Sequence, residues 1–367
     1  MRVALLGAGH IGRAIARILA ASGDYHVTLM DRDATALSAA AESLKQGQAM
    51  QPLALDRPDV LREALAGHDA LVNALPYSLA VHVATQAAAA GCHYFDLTED
   101  VAATHAITRL AANARTAFMP QCGLAPGFIS IVAHDMASRF DAVQDLKLRV
   151  GALPAFPTNS LKYNLTWSVD GLINEYCRPC EAIRDGEPIT LLPLEGMEHF
   201  SLDGVEYEAF NTSGGLGTLC DTLAGKVRNL DYKSVRYPGH RALMSVLLDE
   251  LQLKSDPENL KGILRRAVPS TMQDVVLVFV TAEGLRNGAL TQEVFARKIF
   301  AEHDRGHTAS AIQIATAAGV CAALDLFREG RLPQHGLIRQ EQITLPEFLS
   351  NRFGRVYAQS SHIESIS

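Results

Sequence analysis

Three glycines and one acid carry the clearest chemistry in this chain. Gly7, Gly9 and Gly12 fall within Val-Ala-Leu-Leu-Gly-Ala-Gly-His-Ile-Gly at 3 to 12, and Asp31 closes the apolar run that starts at Tyr25. In such a spacing the first glycine permits a tight turn after a buried strand, the second lets the backbone approach a pyrophosphate, and the third lets the following helix pack closely. The free N–H groups and partial positive charge of that helix start offset phosphate charge without a basic side chain. An acid about 20 residues on accepts the adenosine ribose hydroxyls, and a 2′-phosphate there would meet its charge. The expected cofactor is therefore NAD. Its binding set is expected to include Gly7, Gly9, His10, Ile11, Gly12, Asp31, Arg32 and Asp56, with Ala74, Leu75 and Pro76 at the end of the fourth strand. Arg32, beside the acid, is a residue type that can shelter a 2′-phosphate, but an exposed arginine stacking on the adenine is the commoner arrangement and the one expected.

Residues able to act on a substrate are fewer and more ambiguous. Tyr77 and Asp100 follow the fourth and fifth strands, where the nicotinamide end of a dinucleotide would lie, and are the candidate catalytic pair. Tyr77 reads equally as a turn residue, and Asp100 as a helix N-cap. In the second half, four clusters are unusually polar and aromatic for apolar surroundings: 151–154, 162–170, 212–215 and 236–240. They supply Tyr163, Trp167, Thr212, Arg236 and His240 as candidate substrate contacts. Arg236 is the natural carboxylate clamp, because its planar fork holds two oxygens at once. A structural ion pair for Arg236, and a helix cap or core position for His240, account for the same residues.

The elements that must hold these groups follow from hydrophobic period. Up to residue 121 the pattern repeats βα, with strands expected at Arg2 to Leu6, His26 to Asp31, Pro52 to Asp56, Ala70 to Leu75, Tyr94 to Leu97 and Ala117 to Gln121. Alternation of this kind gives a parallel sheet covered on both faces, and the glycine turn makes it a doubly wound Rossmann domain. From 122 to 306 the texture changes to longer strands and hairpin turns such as Asn287-Gly288, which predicts an α+β substrate and dimerisation domain with a mainly antiparallel sheet. Helices between 307 and 358 are expected to pack back on the first domain. The overall class is α/β.

Composition excludes several alternatives. The −7 net charge leaves no basic stripe for nucleic acid or an anionic membrane, and 48% hydrophobic residues provide for real cores. Gly7, Gly9, His10, Arg13 and Arg17 interrupt the N-terminal apolar stretch, so it is not read as a signal peptide. The stretch Ala309 to Phe327 carries Gln313, Gly319 and Asp325 and is not read as a membrane span. Six scattered cysteines suit a reducing cytoplasm. Cys177-Arg-Pro-Cys180 lacks two further ligands at matching spacing, and no metal is expected.

Six motifs in order resemble the saccharopine dehydrogenase family over nearly the whole chain. They are Gly-Ala-Gly-His-Ile-Gly at 7 to 12, Cys-Gly-Leu-Ala-Pro-Gly at 122 to 127, Gly-Ala-Leu-Pro at 151 to 154, Tyr163 through Trp167-Ser168, Thr-Ser-Gly-Gly at 212 to 215, and Arg-Tyr-Pro-Gly-His at 236 to 240. Within the family the chain resembles the bacterial lysine 6-dehydrogenase branch, because fungal saccharopine reductases usually carry Gly-Leu-Asp-Pro-Gly where this chain has Ala125. That resemblance implies NAD-dependent oxidation of the ε-amine of L-lysine to allysine, which closes to a cyclic imine, with release of ammonia and NADH. It also places Tyr77 and Asp100 near the active site. Competing readings are a relative acting on a secondary amine such as saccharopine or a carboxylated polyamine, and a non-catalytic dinucleotide-binding protein. A homodimer or dimer of dimers built on the second domain is expected, since a sheet with one helical face needs cover for the other.

Overall fold

The computed structural model describes residues 1–41, 48–54, 57–304 and 307–358. The chain forms two compact units, Met1–Phe128 with Gln313–Val356, and Ile129–Ile312 with Tyr357–Ser367. In the first unit, strands β1 (Arg2–Leu6), β2 (His26–Asp31), β3 (Ala49–Pro52), β4 (Ala70–Asn73), β5 (His93–Asp96) and β6 (Ala117–Met119) alternate with helices α1 (His10–Ser22), α2 (Ala34–Ala41), α3 (Pro58–Leu65), α4 (Ala80–Ala90) and α5 (Val101–Ala111). All pairs are parallel, in the order β6-β5-β4-β1-β2-β3. The order reverses beside β1, which leaves a crevice at the carboxyl ends of β1 and β4. This is the doubly wound α/β architecture read from the sequence.

The strands are buried on both faces, as parallel sheets require, with Val3, Leu5, Leu6, Leu71, Val72 and Phe95 fully withdrawn from solvent. The third strand differs from expectation. It runs Ala49–Pro52 rather than from Pro52 onward, and Asp56 lies outside the described residues. All four β3 residues are exposed, so this edge strand has no apolar alternation to mark its ends.

The second unit begins in α6 (Phe128–Ala137). It contains β7 (Ala142–Pro154), α7 (Val169–Cys177), β8 (Cys180–Arg184), β9 (Glu187–Leu191), β10 (Glu198–Leu202), β11 (Val205–Asn211), α8 (Leu219–Leu223), β12 (Val227–Arg236), α9 (His240–Ser245), α10 (Pro257–Ala267), β13 (Asp274–Arg286) and β14 (Ala289–Phe300). The main sheet runs β10-β11-β12-β7-β13-β14. Its longest hairpin, β13–β14, turns at Asn287-Gly288 with φ of 52° and 76°, the left-handed pair that a two-residue turn between twisted strands demands. The sheet is mixed, however, because β7 pairs parallel with β12 and antiparallel with β13. Hairpin signals reveal only neighbours in sequence, and β7 and β12 are joined by a long crossover that leaves none. One apolar cluster joins Phe210 of the sheet to Leu172, Tyr176, Met244, Leu260 and Leu264 of α7, α9 and α10.

After the short strands β15 (Glu302–Asp304) and β16 (His307–Ala309), helix α11 (Ala311–Arg328) leads into the first unit. There β17 (Gly336–Leu337) extends the parallel sheet beside β6, and α12 (Leu345–Ser350) follows. Helix α11 is long and apolar enough to cross a membrane, but 83% of it is buried in the protein. Gly319 lies so close to the 122–127 turn that a Cβ there would stand 2.7 Å from the carbonyl oxygens of Cys122 and Gly123. This packing keeps the turn in the first unit, so the division falls at Phe128/Ile129 and not at 121/122.

Candidate functional site

In the first unit the glycine turn is built by close approach. Gly7 has φ of 103°, donates its N–H to Met30 O at 2.8 Å, and has no room for a side chain, since a Cβ would stand 2.8 Å from Ala74 O. A Cβ on Gly12 would lie 1.8 Å from Gly7 O, which fixes the helix against the turn. Gly9 is the opposite case, with nothing within 4 Å of the position a Cβ would take. No side chain caps α1, so its first N–H groups face this open space. A pyrophosphate fits that cradle on both counts.

Asp31 stands beside it at the end of β2. Its Oδ2 accepts the Ala8 N–H at 2.7 Å and its Oδ1 accepts the Asp33 N–H at 2.9 Å, which orients the carboxylate and leaves further lone pairs for hydroxyl donors. Arg32, Gly9 and His10 are exposed, and Ile11 is half-buried. Partial desolvation of the ring and the neighbouring Arg13 hold the His10 imidazole below its usual pKa. Ala74 donates to Leu6 O at 2.8 Å and Leu75 to Asn73 Oδ1 at 3.1 Å, placing 74–76 against the glycine turn. The cofactor residues named from sequence thus lie together, Asp56 aside.

At the end of β5, three acids divide their roles. Asp96 is buried and accepts from the Tyr94 hydroxyl at 2.7 Å, Gln121 N–H at 2.8 Å and Thr98 N–H at 3.1 Å; burial nevertheless pushes its pKa up to about 6. Asp100 is the N-cap of α5, accepting from Ala103 N–H at 2.7 Å, so the cap alternative describes its contact. Burial pushes Glu99, between them, up to about 7, where a carboxyl group exchanges a proton at neutral pH. Tyr77 opens the short helical turn Tyr77–Leu79 and is half-buried. Asp96 and Glu99 were not singled out from sequence, because apolar surroundings and not residue type tune them.

The second centre lies in the other unit, around Arg236 at the end of β12. The guanidinium is 3% exposed and lies over the rings of Tyr163 and Tyr176, at 5.2 and 5.6 Å from their centroids. Nε donates to Tyr176 Oη at 2.8 Å and Nη1 to Val235 O at 2.8 Å, while Nη2 stands 3.9 Å from Glu175 Oε2. His240 completes the arrangement. Its Nδ1 must donate to Leu161 O at 2.8 Å, so Nε2 accepts from Tyr176 Oη at 3.0 Å. Burial and Arg236 lower its pKa to about 3, which keeps that tautomer neutral. Both His240 nitrogens are spent inside the protein, so it reaches a ligand only through Tyr176 and Arg236.

The turn carrying Arg236 is fixed by Glu208, which accepts the N–H groups of Gly239 at 2.7 Å and Arg241 at 2.6 Å, and by Tyr237, whose hydroxyl donates to Pro154 O at 2.9 Å. Thr212 is buried and shares a 2.8 Å hydrogen bond with Ser234. Trp167 is half-buried against the helical cluster that includes Tyr163. Tyr176 and Glu175 were missed in the sequence. Their signal is Asn174-Glu175-Tyr176, a polar run on a helix whose other residues are mostly apolar.

Two family models together cover almost all of the chain. The saccharopine dehydrogenase NADP binding domain matches residues 3–119, and the saccharopine dehydrogenase C-terminal domain matches residues 123–356. The chain belongs to the saccharopine dehydrogenase family. It carries that family's dinucleotide-binding Rossmann fold and is one of its oxidoreductases. Among solved structures it is similar to apo saccharopine dehydrogenase (L-Glu forming) from Saccharomyces cerevisiae, with a TM-score of 0.78 and 16% identity over 97% of this chain and 96% of that one. It is also similar to the homospermidine synthase of Legionella pneumophila in complex with NAD, with a TM-score of 0.67 and 15% identity over 97% of this chain and 89% of that one. At these identities the likeness speaks for the fold. The family's C-terminal model includes α11, β17 and α12, which this structure assigns to the Rossmann unit.

Proposed function

We propose that this family member is an NAD-dependent dehydrogenase of the ε-amine of L-lysine. The observation that carries the amino-acid part is Arg236: a buried guanidinium, aimed by a tyrosine–histidine relay and floored by two aromatic rings, suits one planar carboxylate. Lysine and not a dicarboxylate is favoured by the state of the other basic groups in the same unit. A second carboxylate needs a second clamp. Lys233 donates to Glu198 at 3.0 Å, and Arg149 is paired with Glu198 and Asp231. Lys162 is exposed and donates to Pro238 O at 2.9 Å.

NAD over NADP is supported by the half-exposed Asp31 carboxylate, although the matching family model is described by NADP. In the proposed reaction the ε-ammonium, with an ordinary pKa of about 10.4, first loses a proton so that the nitrogen lone pair can form the C=N bond. Bound NAD supplies the hydride acceptor. The carbon loses hydride, the protonated imine adds water, and ammonia leaves to give the aldehyde. Glu99 is the group near the end of β5 whose pKa of about 7 suits the proton transfer.

A homodimer built on the second unit completes the proposal. The test is NADH formation with lysine, ornithine, diaminopimelate and saccharopine. Lysine should be turned over best, and preference for saccharopine would overturn the reading.

A further inference from the structure

The segment 158–168, between β7 and α7, buries a tyrosine whose hydroxyl the fold does not use. Tyr163 is 2% exposed, and its Oη makes no hydrogen bond among the described residues. The Thr166 hydroxyl is buried and unpartnered in the same way. Thr166 and the Trp167 indole stand close to Tyr163 Oη without reaching hydrogen-bond geometry. Burial raises the Tyr163 hydroxyl above its ordinary pKa, and Arg236, Trp167 and Thr166 act against that rise. A buried hydroxyl left unpaired costs stability, and phenylalanine would fill the same space without that cost. Folding alone gives no reason for the hydroxyl.

Its position supplies one. The Arg236 guanidinium lies over the Tyr163 ring at 5.2 Å, and the His240 ring packs against the same tyrosine at 5.3 Å. Two hydrogen bonds bolt the segment to the turn that carries Arg236: His240 Nδ1 donates to Leu161 O at 2.8 Å, and Lys162 Nζ donates to Pro238 O at 2.9 Å. Asn159 Nδ2 donates to Tyr163 O at 2.7 Å, and the Leu165 backbone bonds to Pro269 and Thr271. Lys162 holds φ of 50°, which a residue with a side chain adopts only where its surroundings impose it. Tyr163 and Arg236 therefore keep a fixed relation before any ligand arrives.

We propose that Tyr163 Oη donates a hydrogen bond to the substrate carboxylate held by Arg236, so that a neutral donor on a pinned segment, and not a second cation, completes the carboxylate site. The inference rests on the clamp role given to Arg236 above and adds to it a residue that tells a carboxylate from an uncharged end. The guanidinium and the hydroxyl share the two oxygens of one carboxylate, and a hydrogen bond to an ionised acceptor is stronger than one to a neutral group. Thr166 and Trp167 are both able to donate to the Tyr163 oxygen, whose own hydrogen is then directed at the ligand.

The experiment is calorimetric titration of the NAD-saturated protein with L-lysine and L-norleucine, alongside melting of the unliganded protein and steady-state kinetics on lysine and cadaverine. Norleucine keeps the carboxylate and lacks the ε-amine, so it reads the site without the oxidation. Tyr163→Phe keeps the ring against Arg236 and removes only the hydroxyl. It should weaken both amino acids by about tenfold or more, as loss of a hydrogen bond to a charged group does, and leave cadaverine turnover within about twofold. It should raise KM for lysine far more than it lowers kcat. The unliganded variant should melt at the native temperature or above it. A lower melting temperature would give the hydroxyl a structural partner and overturn the proposal. Unchanged binding of lysine and norleucine, the result expected if the hydroxyl holds only a water, would overturn it too, and the lysine reading would stand in both cases. Binding of norleucine that depends on the Tyr163 hydroxyl, with no oxidation of lysine by the native protein, would uphold the proposal and sink the lysine reading. A native protein that binds neither amino acid overturns both.

Discussion

Asp31 shows how far a single residue can be read from sequence and where the reading stops. Its type and its spacing from the glycines identified it, and the structure adds that both carboxylate oxygens already hold backbone N–H groups. Replacing it therefore tests two things at once. Asp31→Ser should shift the ratio of catalytic efficiencies toward NADP by about tenfold or more, since hydrogen bonds to a charged group are worth about 1.5 to 3 kcal/mol. It should also lower the melting temperature. A native enzyme that used NADP as well as NAD would remove the argument from Asp31 altogether. Arg236 was singled out in the same way, as a residue type able to hold a carboxylate, and the structure adds that it is buried over two tyrosine rings. Its neighbours Glu175, Tyr176 and Glu208 were not, because a buried polar residue announces itself only when its surroundings are known. Arg236→Ala should raise KM for lysine strongly and leave NAD binding unchanged, a loss of roughly 2 to 5 kcal/mol from the abandoned carboxylate. Cadaverine, which has no carboxylate, should be a poor substrate of the native enzyme and lose little more in the variant. Proportional loss on both amines in a folded variant would make Arg236 structural.

Elements with a strong apolar period were read nearly to the residue, and β1, β2 and α1 are where the pattern placed them. The exposed edge strand β3 was displaced, since nothing but pairing with β2 defines it. What sequence patterning could not supply is the anchor that ties α11 to the start of the chain. Asp325, buried in α11, accepts from the Tyr25 hydroxyl and Arg352 Nη2 at 2.7 Å, from Asn351 at 2.9 Å, and from Arg328 Nη2 at 3.1 Å. These donors outweigh its burial and hold the carboxyl at about 2, below the ordinary 3.8. A depressed folded pKa contributes stability that is complete above the unfolded value and is lost as pH falls toward the folded one. The Asp325 contribution should therefore disappear between about pH 4 and pH 2. Asp325→Asn should cost about 2 kcal/mol at neutral pH, less than a fully buried pair because both arginines are partly exposed, and should flatten this part of the acid limb. Chemical denaturation of both proteins at pH 7, 4 and 3 checks it. An equal difference at every pH would assign the stability to packing.

At the scale of the molecule, the parallel sheet was legible because each βα unit declares itself locally, and the second sheet is mainly antiparallel as its hairpin turns predict, while the parallel pairing of β7 with β12 was not legible, because it joins strands about 80 residues apart. That sheet also changes the argument for a dimer. Phe200 of β10 stacks on Phe279 of β13 at 5.4 Å, and Leu153, Val235 and Leu277 on the same face are fully buried, so much of the face away from α7, α9 and α10 is covered from within the unit. The cover is incomplete at the β13–β14 hairpin. There Leu285, Leu290 and Val294, which strand alternation puts on that same face, are 41%, 74% and 55% exposed. Three apolar side chains on one face of an edge hairpin form a surface that a second copy can bury by two-fold symmetry, each hairpin covering the other. Light scattering at micromolar concentration should give the mass of a dimer or of a dimer of dimers. Val294→Asp, with little folded-state cost at an exposed position, should shift it toward smaller species while leaving the melting of the isolated subunit unchanged. A monomeric native protein would refute the dimer. An unchanged mass in the variant would move the interface away from this hairpin.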